Sequence, residues 1–455
     1  MRSALLSKSI VAAMLSTSAV AQSFREAVDL ALTTEPTYLS AKASSAASQE
    51  KSRQAYAGFL PQITASANAN SNHRNYQTRD GLIPGAVDHY TSHYGQVNLT
   101  QPIYRATNPI ALRQAETVVS QAHQQLLAAE QELLGRLVAA WCDTMAARDA
   151  VLFYNRQVEA TRRQTEILRR GVEVGTAAAP ALEDARAKYE QAVSDKASSE
   201  MEYQIRIAAL EQLLGPVPSF VPPFLSYQVK VQSLAGEPLQ EWLQRAERSP
   251  QVLAAAEALG AANEEIRKQR AGYDPTLDLV GSYSLNSQPV GNFPGQAGYD
   301  IRQSAVGLQL SIPLYSGGGQ NARVGEAVAL REKARQDLVS AQRAARLAVK
   351  QAWYGAQAGT TRHVAAAQAV KSAVVALRAA SLGTSAGLKT ELDVLQARQQ
   401  LEGAKRDLNR ARYDLTTSLV KLKAAAGELN EDDLALLSRM FVRREADPEE
   451  LLASN

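Results

Sequence analysis

The sequence predicts an α+β chain, mostly long α-helical coiled-coil hairpins with four β-strands set in two pairs. Three observations carry that reading. The chain repeats itself, its hydrophobic period changes from about 3.6 to 2 once in each half, and proline is missing from two very long stretches.

The repeat shows in four landmarks. Gly58-Phe59-Leu60-Pro61 returns as Gly272-Tyr273-Asp274-Pro275, and Gln101-Pro102-Ile103-Tyr104 as Ile312-Pro313-Leu314-Tyr315. Trp141 answers Trp353, and the stretch from Gly175 to Ala185-Arg186 answers Gly387 to Ala397-Arg398, all in the same order and at nearly constant offset. A fixed period of this kind marks an internal duplication. The expected organisation is a leader over 1–21, a first repeat over 22–215, a junction over 216–237, a second repeat over 238–427 and a charged tail over 428–455. Pro216, Pro218, Pro222 and Pro223 fill the junction, where helix cannot continue. The tail carries Glu431-Asp432-Asp433 and Pro448-Glu449-Glu450 and reads as a partly ordered or flexible terminus.

Within each repeat an Ala-rich helix (37–57 and 251–271) leads into a strand pair. In 276–286 Leu277, Leu279, Tyr283 and Leu285 alternate with Asp278, Ser282 and Ser284; in 303–315 Val306, Leu308, Leu310 and Ile312 alternate with Gly307, Gln309 and Ser311. The first repeat is weaker, with strands expected at about 62–70 and 89–104 and turn-rich loops at about 71–88 and 287–300. Helix follows, with no proline between Pro109 and Pro180 or between Pro313 and Pro448. A helix over 110–171 would reach on the order of 90 Å at 1.5 Å per residue. The return helix of the second repeat places Val394, Ala397, Leu401, Ala404, Leu408, Ala411, Leu415, Ser418 and Leu422 at alternating steps of three and four, a coiled-coil seam. The matching seam through Leu182, Ala185, Tyr189 and Ala192 loses its apolar pattern at Lys196.

Composition agrees with rods rather than thick cores. Hydrophobic residues make up 45% but aromatics only 6%, and Ala supplies much of the apolar share. The formal charge of +3 falls to about +1 without Arg2 and Lys8, so no nucleic-acid partner is implied. Arg2 and Lys8, the apolar run Ile10 to Leu15 and Ala19-Val20-Ala21 form a signal peptide cut between Ala21 and Gln22. Cys142 is the single cysteine and sits on a helical pattern, which makes it a small buried residue rather than a lipid anchor.

Four amphipathic strands in an exported chain raise the question of what closes them. An open sheet cannot stand in lipid, because its edge groups would be unsatisfied. Membrane barrels have eight or more strands, so this chain would contribute to an oligomeric transmembrane β-barrel of at least two copies, three giving twelve strands.

Ser23-Phe24-Arg25-Glu26-Ala27 with Ala31 and Pro36, then Gly58 to Pro61 and Pro102-Ile103-Tyr104, resemble the opening of the TolC-type outer membrane efflux proteins. Gly387 with Glu391 to Arg398 resembles that family's second-repeat turn and helix start. The resemblance implies a homotrimer in the cell outer membrane, in contact with outer-membrane lipid, with a long periplasmic extension in the form of an α-barrel. It also implies a passive type I secretion or multidrug efflux duct, a periplasmic adaptor (membrane fusion) protein and an inner-membrane ABC or proton-driven transporter as partners, and an iris-like opening of the periplasmic coiled coils. Under it, Gly175, Thr176, Gly387 and Leu388 are the adaptor-docking tips. Lys389 and Asp393 match the family's periplasmic gate residues, while Ala181 and Gln396 stand where it has acidic ones and Thr384 where it has tyrosine. Glu183, Asp184 and Glu391 are the further charges expected at the gate.

No catalytic or cofactor site is expected. His73, His89 and His93 cluster near the first strand pair, and His89 and His93 could share a strand face, but no Cys joins them and Asp88 is the only close carboxylate, so no metal site is expected. Gly317-Gly318-Gly319 precedes a helix without the Lys-Ser/Thr of a phosphate loop and marks a strand-to-helix bend. The competing reading is an exported coiled-coil scaffold or adhesin whose strand pairs cap the rods in solution. A lumen lined with Ser, Asn, Gln and Thr leaves the cargo open among unfolded protein, peptide and small toxic molecules.

Overall fold

The computed structural model describes residues 23–77, 79, 85–215, 224–225, 237–291 and 296–442. The expected leader with its Ala21/Gln22 cleavage site lies outside the described residues, as do most of the 216–237 junction and everything after Val442. In chain order the elements are α1 (Phe24–Thr34), α2 (Pro36–Ala57), β1 (Gln62–Tyr76), β2 (Ala86–Arg105), α3 (Thr107–Glu173), α4 (Ala179–Leu214), β3 (Phe224–Leu225), α5 (Leu239–Ala246), α6 (Pro250–Arg270), β4 (Thr276–Val290), β5 (Ala297–Ser311), α7 (Gly319–Ser385), α8 (Glu391–Ala426), α9 (Glu431–Met440) and β6 (Phe441–Val442). Both α3 and α7 are 67 residues long, and both α4 and α8 are 36. Two compact units divide these elements.

One unit, Ala43–Gln125 with Gln251–Gln342, contains a four-stranded antiparallel sheet in the order β1-β2-β4-β5. Register aligns the apolar alternation of all four strands: Ile63 faces Leu99, Leu99 faces Gly281, and Gly281 faces Val306. The same face carries Val97, Tyr283, Leu279 and Leu308. It is bare, with Val306 80% and Leu308 67% exposed. The opposite face is polar. Along β2 the Tyr94 hydroxyl donates to Gln96 Oε1 at 2.6 Å, and Gln96 Nε2 donates to Asn98 Oδ1 at 2.7 Å. An irregularity between Pro102 and Tyr104 absorbs Ile103 as an extra residue. It keeps Tyr104 on the apolar face and sets Arg105 on the polar one, where its guanidinium makes two bonds to Asp278 at 2.8 and 2.9 Å.

The strands differ from their expected limits. Pairing runs on to Tyr76 and resumes at Ala86, through much of the expected 71–88 loop, and β4 and β5 likewise extend to Val290 and from Ala297. These outer ends are polar and show no apolar period. Asn72 Nδ2 donating to Ser92 Oγ at 2.8 Å and the Arg74–Asp88 ion pair link them instead. At the other end β5 stops at Ser311 rather than 315, because its last partner is Thr276 and Pro275 before it has no N–H to offer. Among the described residues no helix is long and apolar enough to cross a membrane.

The other unit, Met1–Lys42 with Leu126–Pro250 and Arg343–Asn455, holds the main apolar core. Trp141 is fully buried, with Phe24 edge-on at 5.3 Å and Phe441 at 6.1 Å. Leu133, Leu137 and Met145 of α3 pack there with Leu210 of α4 and Leu415 and Leu419 of α8. Cys142 belongs to this core, and burial pushes its thiol up to about 12, which leaves it inert. Ser23 starts α1 with a reciprocal cap to Glu26.

Residues 428–442 form an ordered first part of the charged tail. Asn430 and Asp433 cap α9 reciprocally, Leu434, Leu437, Met440 and Phe441 join the core, and β6 pairs with β3. The acidic cluster Glu431-Asp432-Asp433 is the start of this helix. The first-repeat seam is corrected. Leu182, Ala185, Ala192, Ser199, Leu210 and Leu213 are all buried, so the buried stripe persists past Lys196, where polar Ser199 interrupts its apolar pattern before Leu210. On α8 the buried set includes Ala397, Leu401, Leu408, Ala411, Leu415 and Leu422, and Leu401 and Leu408 pack on Val370 of α7.

Truncating Phe441 to Ala should cost about 3–5 kcal/mol, the range for a buried aromatic. Thermal unfolding of the purified protein checks this, and Asp432→Ala on the exposed side of α9 should leave the transition unmoved.

Candidate functional site

Both long hairpins reverse by the same backbone device. Gly175 and Gly387 adopt left-handed φ values of 76° and 73°, and a β-carbon on either would touch nothing, so conformation alone calls for glycine. At the first turn the Thr176 amide donates to the Gly171 carbonyl at 2.7 Å and the Gly175 amide to Val172 at 3.1 Å. At the second, Leu388 donates to Gly383 at 2.8 Å and Gly387 to Thr384 at 3.0 Å. This pair of bonds is the Schellman closure, which satisfies the last carbonyls of a helix. Val174 and Leu388 stand out at the turns, 72% and 84% exposed.

A second glycine in each turn escaped the sequence reading. A β-carbon on Gly171 would lie 2.9 Å from that of Ala177, and one on Gly383 would lie 3.0 Å from Cγ of Lys389. The signal was present: Gly-x-x-x-Gly occurs at 171–175 and again at 383–387. Gly383 therefore makes room for the stem of Lys389 to lie back over its own helix.

The helices restart differently. Thr390 and Asp393 form a reciprocal cap on α8, with the Thr390 amide and hydroxyl both donating to Asp393 Oδ2 at 2.8 Å. Those hydrogen bonds, helped by Lys389 nearby, hold the Asp393 carboxyl below its usual range. In the first repeat Ala178 and Ala181 occupy the two equivalent places; α4 starts with no side-chain cap and relies on Pro180. The other charges singled out from sequence are engaged along their own helix: Glu183 with Arg186 and Asp184 with Lys188, both at 2.7 Å and exposed. Glu391 lies in the first turn of α8 and is exposed.

Further along the same unit a groove of about 820 Å³ runs between α3 and α8, lined in part by Phe153, Arg156, Glu402, Lys405 and Arg406. At its end Asp149, only 8% exposed, accepts the Tyr413 hydroxyl at 2.8 Å, Asn409 Nδ2 at 3.0 Å and Arg148 Nη2 at 2.8 Å. Burial, and then the Asp149 charge, push the Tyr413 phenol well up. This tie joins the two repeats across 264 residues of sequence, and no local pattern could have announced it.

Two outcomes follow from this geometry. Tyr413→Phe should destabilise the fold by about 1–3 kcal/mol by leaving a buried carboxylate short of a donor. Asp393 has a lowered folded pKa, so the order it gives the start of α8 is fully present above the ordinary aspartate range and lost as pH falls through the lowered value. Amide exchange at 391–394 should show protection lost on acidification, and Asp393→Ala should remove that protection at neutral pH.

The profile of the family described as "Outer membrane efflux protein" matches residues 27–216 and 242–428. The chain is 28% identical over 421 residues to outer membrane protein TolC of Vibrio cholerae, covering 92% of this chain and 94% of that one. It is 26% identical over 428 residues to the proteases secretion protein PrtF of Dickeya chrysanthemi, covering 93% and 92%. Among solved structures, a membrane protein from Pseudomonas aeruginosa superposes with a TM-score of 0.70 at 21% identity, over 89% of this chain and 93% of that one. The outer membrane protein VceC from Vibrio cholerae gives 0.69 at 20% identity, over 89% and 96%. These structures share the fold. With the profile running along both repeats, the chain belongs to the outer membrane efflux protein family, outer-membrane conduits that catalyse no reaction.

Proposed function

We propose that three copies of this chain close a twelve-stranded barrel in outer-membrane lipid and serve as the exit duct of a tripartite export system. The observation that carries the proposal is the sheet: four strands in register, one apolar face bare, and outer strands β1 and β5 with no further strand of the chain beside them among the described residues. In lipid both edges have to be paired, and a ring of copies pairs them. The polar face, with Gln96, Asn98 and Tyr94, then lines a wet lumen.

An energised inner-membrane transporter and a periplasmic adaptor complete the proposed system. The secretion role carried in the name of the Dickeya relative supports export of a protein, and small toxic molecules remain the second cargo class. The exposed turns around Gly175, Thr176, Gly387 and Leu388 are the proposed adaptor contacts, Leu388 offering apolar surface for it. Lys389, Glu391 and Asp393 carry the charge of the proposed gate, the Thr390 hydrogen bonds favouring the ionised form of Asp393, while Glu183 and Asp184 are paired along α4. Opening is an outward shift of the α7/α8 pair, a two-state change that adaptor binding biases.

Placing Lys on the apolar face at Leu308 should cost about 2–4 kcal/mol near the bilayer middle and deplete the oligomer from outer-membrane fractions. Gln309→Lys on the polar face should be tolerated. Recovery of the wild-type chain as a soluble periplasmic monomer would overturn the duct. In planar bilayers Lys389→Ala and Asp393→Ala should raise single-channel conductance, and unchanged conductance in both would remove these residues from the gate.

A further inference from the structure

The outer ends of β1 and β2 bring together two of the five histidines in the chain. His73 was expected in the loop over about 71–88 and His89 at the start of the following strand. Because pairing continues to Tyr76, they instead sit directly opposite each other in the ladder. Their rings lie 4.4 Å apart, with His73 Nδ1 at 3.1 Å from His89 Nε2 and 3.3 Å from His89 Nδ1.

That nitrogen spacing has a chemical meaning. Two ligands bonded to one metal at 2.0–2.1 Å, at angles between square and tetrahedral, lie about 2.9–3.4 Å apart. Between the two rings one nitrogen can donate to the other at this separation, and turning the two exposed rings about their side-chain bonds would aim both lone pairs at one ion without moving the backbone. The scaffold is held on its other face. The neighbouring pair, Arg74 and Asp88, forms an ion pair there, and Arg74 Nη1 also donates to the Gly291 carbonyl at 2.9 Å. Register at the histidines is thus fixed by groups that do not compete for the ion.

We propose that His73 and His89 form a two-histidine site for a divalent transition-metal ion, with copper bound most tightly and water filling the remaining positions. Imidazole suits copper, nickel and zinc, and among divalent ions affinity peaks at copper. The site has two protein donors and no third. His93 shares the face but lies opposite Ala69, four residues along β2 and so roughly 13 Å away at about 3.3 Å per residue. Asp88 points to the opposite face and is held by Arg74. Among the described residues no group of three or more His, Cys, Asp and Glu is placed to hold a metal, which marks this as an exchangeable surface site rather than a buried structural one. A bound ion would staple edge strand β1 to β2.

The test uses the full oligomer in detergent, prepared without a histidine tag and titrated with Cu²⁺. One ion per chain should bind, and its paramagnetic resonance spectrum should show coupling to two imidazole nitrogens. His73→Ala and His89→Ala should each weaken binding by more than the roughly tenfold to hundredfold that loss of an outer partner costs a metal site. His93→Ala should bind as wild type. All three positions are exposed, and unchanged migration of the oligomer confirms that the variants fold. Wild-type affinity in His73→Ala or His89→Ala, equal loss in His93→Ala, or a spectrum with fewer than two nitrogens would overturn the site.

Discussion

Backbone amides and carbonyls on the outer strands of the sheet need partners, and the described chain does not provide them. β1 and β5 each present a row of hydrogen-bonding groups, while the face between them is apolar and bare. In water such a sheet would invite uncontrolled edge pairing. In lipid the unpaired groups would be costlier still. Pairing edge to edge with further copies meets both demands, and everything else in the chain is compatible with that requirement. The strands are long enough to cross, their polar faces are on one side, and the bulge at Ile103 maintains the division between faces at the sheet end.

Duplication gave the two repeats the same turns but not the same helix starts. Both long helices end through a Schellman closure around Gly175 and Gly387, with Gly171 and Gly383 clearing space behind it. The restarts diverge: Thr390 and Asp393 cap α8, whereas Ala178 and Ala181 leave α4 to Pro180. Aspartate in a helix cap serves local order first, so its match to a family gate position is not by itself evidence of a gate. The second repeat also supplies Tyr413 and Asn409 to Asp149, which sets α8 against α3 through a buried carboxylate. Such a group is stable only while its donors stay in place, and it therefore opposes sliding of the two helices.

Much of this was legible in the sequence, and the misses share a cause. Period-2 alternation revealed β4 and β5 because Leu277 to Leu285 and Val306 to Leu310 mark one face by residue type. The outer ends of the strands were missed because Asn70 to Tyr76 are polar on both faces. The first coiled-coil seam seemed to stop at Lys196, yet Ser199 remains buried on the same stripe; burial continues where the apolar residues that announce it give way. No helix was read in the tail because charge dominates its first residues while Leu434, Leu437 and Met440 provide only one short apolar stripe. At the turns Gly175 and Gly387 were readable from their place between helices. The tie from Asp149 to Tyr413 was not, since only folding brings those positions together.

The packing of Phe24 against Phe441 at 5.1 Å joins the start of the described chain to its end. Synthesis delivers the two aromatic rings at opposite times, and export threads the amino end first. The core around Trp141 thus lacks its last wall until nearly all of the polypeptide has crossed. A chain built this way is kept from finishing early: its rods can coil locally, but the collar that fixes them waits for the final segment. Arrival of the segment around Phe441 then becomes the event that completes the packing around Trp141.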